Sequence, residues 1–122
     1  MTITDRLGNT PDGLAIKAPC AVASVGSNLT LSGLYTLDAI ALVENMRVLV
    51  KDQTDPTQNG IYQASSGVWS RPNDANGNED FIGGTQVMVL RGTSNARKAY
   101  VLTCTDDPVI IGTSNLTFAR PA

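Results

Sequence analysis

The carboxylates have the widest chemical reach in this sequence, because no histidine occurs among its 122 residues. That absence removes Ser-His-Asp and Cys-His nucleophilic catalysis, histidine metal sites and paired-histidine zinc chemistry. Eleven Asp and Glu residues remain. Glycoside hydrolysis needs two carboxylates about 5–9.5 Å apart across a cleft, and no pair here stands in a motif that defines one. Asp106-Asp107-Pro108 reads as a turn that begins on Asp. With no nucleophile–base constellation to name, the chain is read as non-enzymatic. Cys20 and Cys104 are far apart and lack C-x-x-C spacing, so they read as two free, buried thiols.

Two clusters have residue types suited to binding. Asp74, Asn76, Asn78 and Asp80 place oxygen side chains at alternate positions of one loop. Calcium takes about six to eight oxygens, and such a loop can offer several. The run lacks the distal Glu of an EF-hand, and the plainer reading is a solvated Asn/Asp/Gly turn that holds no cofactor. Tyr62, Trp69 and Arg71 form the second cluster. Their rings could stack on the apolar faces of a host surface glycan. Trp69, as the lone Trp, is more often a core anchor.

Composition narrows the classes further. Charged residues make up only 16% of the chain and hydrophobic ones 42%, so the polar surface is carried by Asn, Thr, Ser, Gln and Gly. That surface suits packing against other subunits or against sugars. Nine basic residues face eleven acidic ones, a formal charge of -2, and the basic residues form no stripe. Nucleic-acid binding, which draws on a clustered basic face, is not expected. No apolar run is long enough to span a membrane. The first residues carry no apolar secretory core, so synthesis and folding in a host cytoplasm are expected.

The elements that must position these residues are short strands. Residues 1–13 are polar and hold Gly8, Pro11 and Gly13; they read as a flexible arm that is either a loose terminus or orders on a neighbouring subunit. Residues 14–122 form one domain. Apolar segments lie at 14–24 and 29–31. Two strands lie before and after a turn at Asp38-Ala39, where a helix over 36–45 is the competing reading. The best strand is 46–51. A polar loop follows, closed by Asn59-Gly60, a strong turn signal. Strands at 61–64 and 68–71 form a hairpin whose turn is flanked by Tyr62 and Trp69, a pair able to meet across it. Further strands are expected at 85–91, 98–104, 109–111 and 116–118. The fold class is therefore all-β, an antiparallel sandwich or small barrel.

The middle of the chain resembles a module found in phage tail-fibre and related virion proteins. The residues that carry the resemblance are Arg47-Val48-Leu49-Val50-Lys51-Asp52-Gln53-Thr54, then Asn59-Gly60-Ile61-Tyr62, then Gly67-Val68-Trp69, then Arg71. It extends to residues 28–34 and 105–118, and so covers most of the chain. Three positions depart from the pattern. Asp38-Ala39 stands where Asp-Gly is frequent, Asn45-Met46 where Gly-Asp is frequent, and Tyr100 where Trp is common. The module also usually sits within longer fibre proteins.

The resemblance implies a virion protein, most directly a tail fibre or fibre-attachment component. Alternatives are a capsid decoration (cement) protein and a carbohydrate-binding host-attachment adhesin. It further implies a homo-oligomer, a trimer above all, that meets other virion proteins through the arm and its β edges. Specific contacts are expected on loops 52–59 and 72–80 or on the arm.

Overall fold

The Arg47–Val50 strand carries three consecutive apolar residues, and all three are buried. Side chains alternate across a strand, so an unbroken apolar run requires cover on both faces. The computed structural model provides that cover. It describes residues 16–77, 80–106 and 109–120; the arm expected at 1–13 lies outside them.

In chain order the strands are β1 (Val22–Ala23), β2 (Thr36–Leu37), β3 (Ile40–Ala41), β4 (Arg47–Val50), β5 (Gly60–Gln63), β6 (Gln86–Val89), β7 (Lys98–Leu102) and β8 (Phe118–Ala119). Strands β1-β4-β5 form one sheet, β6-β7-β8 a second, and β2-β3 a hairpin. The chain is all-β, as the periodicity predicts. Among the described residues three pairings differ from a purely antiparallel plan: β1 runs parallel to β4, Val22 opposite Val48, and the single bridges Ile16–Gln86 and Cys20–Val89 are also parallel.

The first sheet is the middle layer. Leu49 and Ile61 are cross-strand partners and pack with Val87, Val89 and Leu102 of the second sheet. On the opposite face Val48 partners Tyr62, and both pack with Leu37, Leu42 and Trp69. Residues 16–24 sew the layers together. Cys20 bridges Val89 of β6, and one residue later the Ala21 amide donates to the Arg47 carbonyl of the other sheet.

The β2–β3 hairpin turns at Asp38-Ala39, with φ of 50° and 71°. Two successive left-handed residues make the tight turn that matches strand twist, so the turn prevails over the competing helix. Asn45 has φ 68°. Ala39 and Asn45 are two positions where the resembled module often has Gly, and glycine adopts this conformation without strain.

Several expected strands are replaced by other structure. Residues 29–31 are not a strand, because a side chain takes the place of a partner strand. The Gln53 amide accepts from the Leu29 N–H at 2.7 Å and donates to its carbonyl at 3.3 Å. Residues 109–111 lead into a turn in which the Ile110 carbonyl accepts from the Thr113 and Ser114 amides. Residues 68–71 return beside β5 through a single bridge, Gln63 to Ser70. Asn59-Gly60 is not the turn between β4 and β5. That role falls to a 3-10 turn at Pro56–Gln58, capped by Asp55.

Candidate functional site

The 47–71 run can be built up residue by residue, and its polar groups turn inward. The Asp52 carboxylate accepts from the Ser24 hydroxyl at 2.8 Å, the Gly26 amide at 2.9 Å and the Lys51 ammonium at 2.9 Å. Burial works against its charged form, but these donors outweigh burial and hold its pKa below the ordinary value. Thr54 and Asn28 exchange two hydrogen bonds of 2.6 Å. Asn59 is buried; it accepts from the Gln53 amide at 3.0 Å and donates to the Leu116 carbonyl at 2.9 Å. Lys51 to Thr54 thus bind the loop after β1, and Asn59 binds the end of the chain to the middle sheet.

Arg71 completes this frame. Its guanidinium donates to the Asn59 and Thr57 carbonyls at 2.8 and 3.1 Å and lies 4.7 Å from the centre of the Tyr62 ring. Gly60 leaves the space: a β-carbon there would collide with Arg71 Nη1, and φ is +138°. Burial pushes the Tyr62 pKa up and pulls the Arg71 pKa down.

The expected glycan face of Tyr62, Trp69 and Arg71 is corrected by this packing. Tyr62 and Trp69 are 7% and 4% exposed. Trp69 stacks on Tyr35 at 5.7 Å, meets Tyr62 at 6.5 Å and donates its indole N–H to the Gly33 carbonyl at 2.9 Å. Tyr62 and Trp69 do meet, tilted at 52° to each other, but inside the core, where no sugar can stack.

The calcium loop is corrected too. Both Asp74 oxygens accept from the Arg47 guanidinium, at 3.0 and 3.1 Å. Asp80 Oδ2 accepts from the Asn76 and Gly77 amides at 2.9 and 2.7 Å. Asn76 is exposed, and Asn78 lies outside the described residues. Among those described, no three Asp, Glu, Cys or His side chains converge on a point where a cation could sit. Asp74 is committed to β4 through Arg47 and Asp80 to the backbone of its own turn.

Cys20 and Cys104 are free and buried, as expected. Burial pushes the Cys20 thiol up to about 12 against a partial offset from Arg47, so it stays an unreactive thiol at neutral pH.

A feature not read from the sequence lies on the second sheet. Beyond the ends of β7 and β8, the Thr103 amide donates to the Thr117 carbonyl at 2.8 Å, and the two hydroxyls meet at 2.7 Å. Thr103, Thr105, Asp106, Thr113, Asn115 and Thr117 line an open groove of about 360 Å³, with Cys104 at its side. The signal was present in the alternation of Thr103 with Thr105 and of Asn115 with Thr117. It was hidden because residues 105–115 read as separate turns and a strand.

No family model, curated protein or solved structure matches the chain at a significant level.

Proposed function

We propose that this chain is a non-enzymatic structural protein of a bacteriophage particle, and within it a tail-fibre or fibre-attachment component. One observation supports the reading most. The run that resembles the virion module commits Asp52, Gln53, Asn59 and Arg71 to hydrogen bonds within the chain, which is scaffold rather than catalytic machinery. The low charge suits burial against other subunits. Among the described residues, β8 pairs only with β7, so one edge is available for pairing. A homo-oligomer, a trimer foremost, covers such edges, and the arm at 1–13 docks on other virion proteins.

The experiment is antibody-gold imaging of intact particles. Label at the tail supports the fibre assignment. Dense label over the capsid makes the chain a decoration protein instead. Particles without label overturn both.

A further inference from the structure

The groove beside Thr103 and Thr117 has a lining that selects a ligand class. Four threonine hydroxyls and one asparagine amide both donate and accept hydrogen bonds, and Asp106 adds an acceptor. Among the described residues no Lys or Arg lines it, so phosphate and other anions meet a carboxylate without a counter-charge there. Among the described residues the lining offers a calcium ion one carboxylate among neutral hydroxyls, less charge than such a site needs. An apolar ligand would strip water from the Thr105 and Thr113 hydroxyls and the Asn115 amide without replacing its hydrogen bonds. A neutral polyol satisfies both donors and acceptors.

The surroundings narrow the class to a sugar. Thr103 lies two residues beyond Val101 and Thr117 two before Ala119, so all four share one face. Val101 and Ala119 are cross-strand partners, and Ala119 is exposed. A half-buried Val101 and an exposed Ala119 therefore place two small apolar side chains on the groove's face. A pyranose ring has the same division, hydroxyls at its edge and C–H groups on its faces. The volume falls at the small end of the range for small-molecule sites, about 300–1,000 Å³. The walls are held in place: Thr103 and Thr117 bond to each other, and the Ser114 hydroxyl accepts from the Ile110 amide at 2.9 Å.

We infer that this groove is a binding site for a neutral saccharide of one or two pyranose units. The inference does not depend on where the protein sits in a particle, and it can fail while the virion assignment stands.

The test is a two-dimensional amide NMR titration of the full chain. One arm uses free neutral hexoses and N-acetylhexosamines; a second uses their methyl glycosides, which represent the terminal residue of a glycan. At least one sugar is expected to bind with Kd on the order of 1 mM and to shift amides of residues 103–106 and 113–117. Shifts in the glycoside arm alone identify a glycan terminus; shifts in the free-sugar arm alone identify a free sugar. The exposed double variant Thr113→Val/Asn115→Ala should keep its melting temperature and lose at least about tenfold in affinity, some 1.4 kcal/mol. No shifts in either arm, shifts centred elsewhere, or unchanged affinity in the folded double variant would each overturn the inference.

Discussion

The guanidinium of Arg71 occupies the space that a side chain on residue 60 would need. Eleven positions apart in sequence, Gly60 and Arg71 are one structural unit. The glycine is required for clearance and for its φ of +138°, not to turn a hairpin. Gly60→Ala is therefore expected to destabilise the fold by about 2–4 kcal/mol, combining backbone strain with the collision. Urea denaturation measures it. Adding Arg71→Ala should recover part of the loss, because the collision goes and the strain stays. A neutral Gly60→Ala would contradict the packing.

Substitution in the opposite direction should stabilise. Ala39 is held at φ 71°, a conformation that disfavours a β-carbon. Ala39→Gly is expected to gain about 0.5–1 kcal/mol, after allowing for the greater chain entropy glycine brings to the unfolded state. A higher urea midpoint at constant m would show it.

The same turn links the hairpin to the second sheet. The Asp38 carboxylate accepts from the Ser94 and Asn95 amides at 2.9 and 3.1 Å, in space left by Gly92. Burial works against its charge, but these donors prevail and hold its pKa below the ordinary 3.8. A carboxylate depressed in the fold stabilises it above the unfolded pKa, and that contribution disappears as pH falls through the folded pKa. Asp52 acts with the same sign. Urea midpoints should hold near neutrality and fall below about pH 4. Asp38→Asn should lower the midpoint at pH 7 and flatten its fall in acid; an unchanged slope would remove Asp38 from the account.

The aromatic cluster makes a further prediction. Trp69→Ala empties a buried site against Tyr35 and Tyr62 and is expected to destabilise by about 3–5 kcal/mol. Calorimetry or urea denaturation will detect it. A folded, fully stable Trp69→Ala that loses affinity for a glycan would restore the ring as a binding group.

These features differ in how far the sequence revealed them. Arg47–Val50 was legible because its apolar run has no other stable use, and Asp38-Ala39 because apolar pairs lie on both sides of it. Residues 29–31 were misread because Gln53 supplies the pairing from 24 positions away, and no local pattern records a side chain acting as a strand. Asn59-Gly60 was misread for a related reason: its glycine answers to Arg71. Tyr62 contacts both Trp69 and Arg71, but periodicity does not tell an aromatic facing a third layer from one facing solvent. The threonine groove depends on two segments meeting at Thr103 and Thr117, a long-range pairing the sequence does not display.

The most direct test of the central claim is quantitative mass spectrometry of gradient-purified phage particles. The chain is expected to travel with the particle peak at a fixed, low copy number per particle, in multiples of three for a trimeric fibre component. A chain confined to the soluble fraction of the lysate, absent from infectious particles, would contradict it.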